Sequence, residues 1–359
     1  MKPTVFILAG GRGERLWPLS TPLQSKPFLP LFEGKSLIEL TLKRAQSITS
    51  DDRIFIITAA SLRETVKRAL PDFPETHLLC EPYPRNTAAA IAWACGHLYH
   101  KAPQGIGIVL PADHCIGDET QFQTSLTTAC TLAQQAHAIV TIGIHPTRPA
   151  TEYGYIACGT PMPQMKPLTW EGIGFTEKPT LGTAQTYLKA GTFLWNAGIF
   201  VWEAATLKAQ FEAHAPAYLP LIEAPSTIDE SLYQALPAIA FDYAIMEKCA
   251  PFYVVKGDFE WNDVGSYSAL AQQFPADAAG NRTNAPAQLH EVKGCTLLST
   301  EQGHTFILAH TTDLLVAHTP EATLICPAAE AHRVTQWIPA TPKDAPHPPS
   351  SSSPNERFS

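Results

Sequence analysis

The sequence has no excess of positive charge and no spacing typical of a disulfide or zinc framework. Its 25 lysine and arginine residues are outnumbered by 33 aspartate and glutamate residues, which gives a net charge of −8. Because proteins that bind nucleic acid through its phosphates need a basic surface, we expect no nucleic-acid partner. The eight cysteines lie far apart without a C-x-x-C pair, and they predict free, buried thiols in a reducing compartment.

The chain also lacks a long apolar run and a secretory leader. No stretch of about 18 apolar residues occurs, so hydropathy predicts no membrane-spanning helix. The first predicted strand begins close to Met1, without the basic segment and cleavage site of a signal peptide. We therefore expect a cytoplasmic protein without a membrane partner.

Neither of the two best known phosphate-binding loops is present. A dinucleotide-binding loop reads G-x-G-x-x-G and a Walker A loop reads G-x-x-x-x-G-K-[ST], whereas here Leu16 stands in the place of the third glycine. The second predicted strand ends at Thr58 rather than at an acidic residue, which argues against a nicotinamide-binding protein. What remains is a glycine loop followed by Arg15 and Lys26. Its backbone N–H groups and two cations are able to bind a triphosphate, although a tight turn with two surface cations is the alternative for the loop alone.

Short apolar runs alternate with helical patterns over the first 145 residues. Two S-x-x-E sequences, beginning at Ser36 and Ser61, predict capped helix starts. The apolar runs predict buried strands at 4–8, 53–58, 77–80, 107–110 and 139–144. This alternation predicts a doubly wound parallel sheet, whose ligand site lies at the carboxyl ends of its strands.

The pattern changes along the rest of the chain. Between about 150 and 270 it is mixed, with predicted strands at 192–202 and 252–255 and a helical stretch at 241–248, and we expect this segment to extend the first domain over residues 1–280. The short runs that follow predict a small C-terminal β domain, a β-helix-like cap, over 285–338. The Pro/Ser-rich stretch 339–359 is predicted to be disordered.

The glycine loop and seven later motifs resemble the sugar-phosphate nucleotidylyltransferases, whose signature is roughly G-G-x-G-x-R-L-x-P-L-(x)n-P-K. The W-P-L-S continuation is similar to the mannose-1-phosphate guanylyltransferase branch. The later motifs are E-P-Y-P-R-N-T-A-A-A-I, V-L-P-A-D-H, Y-G-Y-I, F-T-E-K-P, L-W-N-A-G-I-F, F-D-Y-A-I-M-E-K and W-N-D-V-G-S-Y. The resemblance implies an α/β fold with a Rossmann-like, doubly wound mixed sheet, the GT-A-like nucleotidyltransferase fold.

The resemblance also implies a reaction and a set of site residues. A phosphate oxygen of mannose 1-phosphate would attack the α-phosphorus of GTP with Mg²⁺ as cofactor, giving GDP-mannose and pyrophosphate. The implied catalytic residues are Arg15, Lys26, Asp113, Lys178 and Asp263, of which Asp113 and Asp263 would bind the metal. The implied nucleotide-binding residues are Leu8, Ala9, Gly10, Gly11, Gly13, Glu81, Arg85, Asn86, Thr87, Pro111 and Asp113. The implied sugar-phosphate-binding residues are Tyr153, Gly154, Glu177, Lys178, Asn196, Gly198 and Asp263.

Each candidate also has a plainer interpretation. A lone aspartate such as Asp113 or Asp263 is commonly a turn residue or a helix cap. Lys178 is equally typical of a solvated surface charge. The residues implied for the sugar pocket are equally typical of ordinary strand packing. Two departures from the family pattern stand out: Ser25 precedes Lys26 where the family has proline, and Ala240-Phe241 replaces Ser-Ile ahead of Asp242-Tyr243.

Glu81 supports a prediction from its own chemistry. It follows a predicted strand and so points toward the same crevice as the glycine loop. Guanine presents two neighbouring donors, N1–H and the 2-amino group, which one carboxylate can accept side by side, whereas thymine presents one donor between two acceptors. We therefore predict that Glu81 recognises guanine. Asn86 and Thr87 would contact base or ribose with Arg85, although either suits the cap of the following helix.

Two other functions remain open from the sequence. One is transfer to another hexose 1-phosphate or from another nucleoside triphosphate. The other is a non-catalytic paralogue that binds nucleotide sugar, against which the presence of all the implied cations and carboxylates argues. The oligomeric state is open, with a homodimer as one option. The chain ends before the isomerase domain of bifunctional relatives, and we expect it to lack that activity.

Overall fold

The computed structural model describes residues 2–11, 13–21, 24–226 and 230–338, and the predicted disordered tail lies outside them. The strands are β1 (Thr4–Ala9), β2 (Ile54–Ala59), β3 (Leu78–Glu81), β4 (Ile106–Pro111), β5 (Cys115–Ile116), β6 (Ile139–Ile144), β7 (Tyr155–Met162), β8 (Thr169–Thr176), β9 (Phe193–Glu203), β10 (Phe252–Lys256), β11 (Trp261–Asn262), β12 (Arg282–Thr283), β13 (Ala287–His290), β14 (Thr296–Ser299), β15 (Phe306–Ala309), β16 (Leu314–His318) and β17 (Thr323–Pro327). The helices are α1 (Leu37–Gln46), α2 (Arg63–Ala69), α3 (Asn86–Tyr99), α4 (Glu119–Ala136), α5 (Leu181–Ala190), α6 (Ala204–His214), α7 (Leu219–Glu223), α8 (Glu230–Ala235) and α9 (Tyr267–Ala271). Across the described ranges, none of them is long and apolar enough to cross a membrane.

A mixed sheet forms the centre of the molecule, which confirms the predicted fold class. Within the described residues it has nine strands in the order β3-β2-β1-β4-β9-β6-β10-β8-β7. Strands β1 to β4 are parallel, but β9 runs antiparallel between β4 and β6. A strand from later in the chain therefore interrupts the parallel sheet predicted for the first 145 residues. The carboxyl ends of β1, β3 and β4 share one edge, which is where a ligand site is expected.

The continuous apolar sequence of the central strands follows from burial on both faces of the sheet. Along β1, Val5 and Ile7 pack into one hydrophobic cluster while Phe6 packs into the other. Phe6 stacks on Phe55 and Trp202, with ring centroids 5.6 and 6.2 Å apart. Because successive side chains of a strand point to opposite faces, only an unbroken apolar run fills both layers.

One predicted helix start is correct and the other is wrong. Before α1, the carboxylate of Glu39 accepts a hydrogen bond from the backbone N–H of Ser36 at 2.7 Å, as in a capping box. Ser61 does not cap α2. The chain leaves β2 directly into a 3₁₀ turn, Ala60–Leu62, which places Ser61 within that turn, and α2 begins at Arg63.

The C-terminal strands wind against the first domain. Strands β12, β14 and β16 are parallel in one small sheet, and β13 and β15 are parallel in another, so successive strands alternate between two sheets. Leu298, Leu315 and Leu324 of this region share a hydrophobic cluster with Leu16 and Leu29, which stand before and after Lys26 in the chain. These strands therefore support the segment that carries Lys26. The boundaries 1–280 and 285–338 stay a prediction.

Candidate active site

A cavity of about 660 Å³ opens at the carboxyl ends of β1, β3 and β4. A second cavity of about 560 Å³ adjoins it and shares Gly10, Gly11 and Asp113 with it. Both volumes fall in the range of small-molecule sites. The sheet topology thus places the ligand site where parallel strands end.

The glycine loop forms the wall between the two cavities. Gly10 and Gly11 are exposed, and the positive φ of Gly11, 100°, is one that residues with a Cβ rarely adopt. At Gly13 a Cβ would lie 2.4 Å from the hydroxyl of Ser20, so the chain approaches itself too closely for a side chain. Arg15 is exposed and lines the second cavity. The loop thus leaves room for an anion beside a cation.

Lys26 joins the two candidate metal ligands. It begins a 3₁₀ turn, Lys26–Phe28, after the buried and extended Ser25. Its Nζ lies 2.5 Å from Oδ2 of Asp113 and donates to the backbone oxygen of Asp263 at 2.5 Å. Serine in place of the family's proline therefore still lets the lysine reach the site.

Asp113 is an ionised carboxylate with a neutral histidine beside it. Burial alone would raise the pKa of Asp113, but the Lys26 ammonium outweighs it and holds that pKa below its usual value. Burial lowers the pKa of His114 to about 4. The indole N–H of Trp261 donates to Nδ1 of His114 at 3.2 Å, which leaves the imidazole proton on Nε2, 3.9 Å from Asp113 Oδ1. The ring therefore adds no charge to the site.

Asp263 contacts the Lys26 ammonium through its backbone oxygen and leaves its side chain to other partners. Its Oδ1 accepts hydrogen bonds from the hydroxyl of Tyr153 at 2.8 Å and from the backbone N–H of Gly265 at 3.0 Å. Both aspartates line the large cavity. Two carboxylates with room for phosphate oxygens are the donor set that Mg²⁺ prefers, so these residues fit that ion.

Glu81 also lines the large cavity. It is the last residue of β3, is buried, and accepts a hydrogen bond from the hydroxyl of Tyr233. Burial raises the pKa of Glu81 to about 7. Tyr233 lies 152 positions away along the chain and belongs to none of the family motifs, so no sequence signal indicated this contact.

Asn86 and Thr87 line the cavity beside Glu81, but their polar atoms also bind the protein. Asn86 begins α3 with a positive φ, and its Oδ1 accepts from the N–H of Thr87 at 2.8 Å. The hydroxyl of Thr87 accepts from the backbone N–H of Phe241 at 2.8 Å. Thr87 therefore ties α3 to the segment before Asp242 rather than capping the helix.

A half-buried carboxyl that sequence reasoning missed, Asp242, lines the cavity beside Asn196, one of the predicted sugar-binding residues. Asn196 donates to Oδ1 of Asp242 at 2.9 Å, while its own Oδ1 accepts from the N–H of Gly198 and the hydroxyl of Thr141. Burial first, and then the charge of Glu177, raise the pKa of Asp242 to about 7. The only sequence signal for Asp242 was its place in the F-D-Y-A-I-M-E-K motif.

Most of the predicted binding residues line the large cavity. They are Leu8, Gly10, Gly11, Glu81, Asn86, Thr87, Pro111 and Asp113 from the nucleotide set, and Tyr153, Gly154, Glu177, Asn196, Gly198 and Asp263 from the sugar set. A Cβ at Gly154 would lie 2.5 Å from Oε2 of Glu177 and 3.2 Å from Cζ of Phe175, so a side chain here would displace the Glu177 carboxylate.

Gly13, Arg15 and Lys26 line the second cavity instead, and three predicted residues line neither cavity. Ala9 is fully buried in the sheet core. Arg85 donates to the backbone oxygens of Tyr233 and Gln234, so its guanidinium holds α8 in place. Lys178 has a half-exposed side chain, and its Nζ donates to Oε1 of Glu177 at 2.7 Å, which places it at the rim.

Comparison with known proteins gives consistent matches. Residues 4–280 match the family profile described as nucleotidyl transferase. The chain is 36% identical over 348 residues to a mannose-1-phosphate guanylyltransferase of Sinorhizobium fredii, covering 92% of this chain and 66% of that protein. It is 35% identical to a protein of the same name from Salmonella montevideo, covering 90% of this chain and 70% of that protein.

A solved structure matches over nearly the whole chain. It is described as mannose-1-phosphate geranyltransferase from Thermus thermophilus, with a TM-score of 0.84 and 35% identity over 94% of this chain and 98% of that one. The chain spans just under two thirds of the first relatives it matches, 66% of the Sinorhizobium protein and 65% of a Klebsiella pneumoniae protein.

Proposed function

Because this chain belongs to the nucleotidyl transferase family, we propose that it transfers GMP from GTP to α-D-mannose 1-phosphate, giving GDP-mannose and pyrophosphate. One observation carries the proposal: a single cavity is lined by the glycine loop, by Asp113 and Asp263, both of which Lys26 contacts, and by two further carboxyl groups, those of Glu81 and Asp242. The names of the matched relatives support the same substrates.

The phosphate chain of GTP would lie along the glycine loop. Backbone N–H groups of Gly10 and Gly11 are accessible there, and Arg15 and Lys26 supply positive charge on the neighbouring cavity wall. These groups would hold the β- and γ-phosphates and then the departing pyrophosphate. Lys26 forms an ion pair with Asp113, which would keep its ammonium beside the phosphates.

Asp113 and Asp263 would hold Mg²⁺, which fits their hard oxygen donors. When bound, the ion neutralises charge on the phosphates. The protein's own part is to hold both aspartates in place. The Lys26 ammonium contacts the carboxylate of Asp113 and the backbone oxygen of Asp263, and the Tyr153 hydroxyl donates to the Asp263 carboxylate.

The sugar phosphate would occupy the pocket of Glu177, Asn196 and Asp242. Carboxyl and amide groups suit hydroxyl donors of a pyranose, and Tyr153 and Trp261 offer flat apolar faces. Lys178 at the rim would bind the attacking phosphate. Such a transfer needs no covalent protein nucleophile, so alignment of the two phosphates and neutralisation of their charge account for the catalysis.

The base of GTP would lie against Glu81. The Tyr233 hydroxyl occupies one lone pair of the carboxylate, and the remaining lone pairs can accept N1–H and the 2-amino group of guanine. Recognition of guanine in this way requires the ionised form of Glu81, because the O–H group of a protonated carboxyl would face the N–H donors of guanine.

A matrix of substrates tests the proposal. Pyrophosphate release is measured with GTP, ATP, UTP and dTTP, each combined with the 1-phosphates of mannose, glucose and galactose. We expect the largest kcat/KM for GTP with mannose 1-phosphate. A larger kcat/KM for another pair would replace the proposed substrates, and no release from any pair would leave a binding protein.

A further inference from the structure

Three potential metal ligands lie together on the C-terminal strands, on different elements from the candidate active site. They are Glu301 and His304, from the turn between β14 and β15, and His318, the last residue of β16. One ligand atom from each lies within 4.8 Å of the others. Among the described residues, no other group of three histidine, cysteine or carboxylate side chains meets this spacing.

The backbone fixes the position of this group. His318 pairs with Ser299 in the parallel ladder of β14 and β16, and its backbone oxygen accepts from the N–H of Thr300 at 3.2 Å. The hydroxyl of Ser299 accepts from the N–H of Glu301 at 3.0 Å. The register of the strands therefore brings the turn directly beside His318, so the ligands converge before any ion is bound.

The His318 ring is oriented by a hydroxyl on one side and a carboxylate on the other. Its Nδ1 lies 2.8 Å from Oγ1 of Thr323, and its Nε2 lies 3.1 Å from Oε2 of Glu301. Metal-bound histidines usually have their second ring nitrogen held in this way. Two ligands on one tetrahedral Zn²⁺, with bonds of about 2.0–2.1 Å, are separated by about 3.3 Å, close to the distance between Nε2 and Oε2.

His304 completes the group. Its ring stacks on that of His318 with centroids 4.0 Å apart, and the structure gives its ring nitrogens no hydrogen-bond partner within the described part of the chain. The ring is half-buried and also packs edge-on against the buried Phe306, with ring centroids 4.6 Å apart, so metal binding would require it to turn from its stacked position on His318.

We propose that Glu301, His304 and His318 form a binding site for one divalent cation of the zinc class. Two imidazole nitrogens and one carboxylate select Zn²⁺, Co²⁺ or Ni²⁺ over Mg²⁺, which prefers oxygen ligands. Water fills the fourth position, because Glu301 is exposed. The bound ion joins the turn after β14 to the end of β16, and it is separate from the Mg²⁺ proposed for Asp113 and Asp263.

Cobalt binding tests the proposal. Full-length protein freed of metal with a chelator, in a phosphine reductant and excess Mg²⁺, is titrated with Co²⁺ while visible absorption is recorded, and Zn²⁺ then displaces the Co²⁺. We expect one Co²⁺ per chain, with an absorption spectrum typical of nitrogen and oxygen ligands. The affinity of His318→Gln for Co²⁺ should be at least about tenfold lower than that of the wild-type protein. The matched control is His310→Gln, because His310 contacts Glu291 at 3.0 Å in the same region but belongs to no group of three ligands among the described residues.

The Co²⁺ affinity of the variants and the absorption spectrum decide between the possible outcomes. Equal Co²⁺ binding by wild-type protein and His318→Gln, or a thiolate charge-transfer band that assigns the ion to cysteines, would overturn the proposal. If His318→Gln unfolds, Glu301→Gln decides, since that side chain is exposed: unchanged affinity in it contradicts the site, and loss of affinity with an unchanged circular dichroism spectrum supports it.

Discussion

The preference for GTP over UTP should fall as the pH is lowered through 7. Burial raises the pKa of Glu81 to about 7, and only the ionised carboxylate can accept both donors of guanine. With that pKa, the ionised fraction is about 0.9 at pH 8 and about 0.1 at pH 6, so the preference should drop about tenfold, or about 1.4 kcal/mol. The preference is therefore near its maximum at pH 8 and falls as the pH drops through the pKa of Glu81.

The assay is calorimetric measurement of the dissociation constants of GTP and UTP at both pH values. Protonation of the triphosphate and of Asp242, whose pKa is also about 7, cancels in the ratio because both ligands carry the same phosphates. Glu81→Gln should show no pH dependence and little preference for GTP, whereas Asp242→Asn should keep the wild-type pH dependence. A pH-independent ratio in the wild-type protein, or the same dependence in Glu81→Gln, would refute the reasoning.

Three further predictions concern other contacts of the site. Tyr233→Phe removes the hydrogen bond that lowers the pKa of Glu81, so the midpoint of the GTP/UTP preference should move above pH 7; an unmoved midpoint would count against the contact. Lys26→Met should reduce kcat by about 100-fold, because it removes the cation proposed to neutralise charge on the phosphates, and a melting curve checks the fold. Gly154→Ala places a Cβ 2.5 Å from Glu177 Oε2, so it should raise KM for the sugar phosphate several-fold with KM for GTP unchanged; equal changes in both would contradict the assignment of this pocket.

The sequence predicts best what local patterns determine. Apolar runs bounded by turn signals predict the strands that end at the cavity, and the glycine loop marks the part of the cavity proposed for the phosphates. Contacts between distant segments leave no such pattern. Tyr233 reaches Glu81 from a helix of only six residues, and Arg85 turns to the carbonyls of that helix although its motif is typical of nucleotide contacts. The insertion of β9 into the parallel sheet likewise depends on packing of the whole domain.

The most direct test of the active site is the rate of pyrophosphate release by Asp113→Asn with GTP, mannose 1-phosphate and Mg²⁺. This change removes the charge that pairs with Lys26 and one proposed metal ligand, while the side chain keeps its size. We predict loss of most turnover with an unchanged circular dichroism spectrum and melting temperature. A near-normal rate with Mg²⁺ would contradict the role of this carboxylate and the proposed reaction centre.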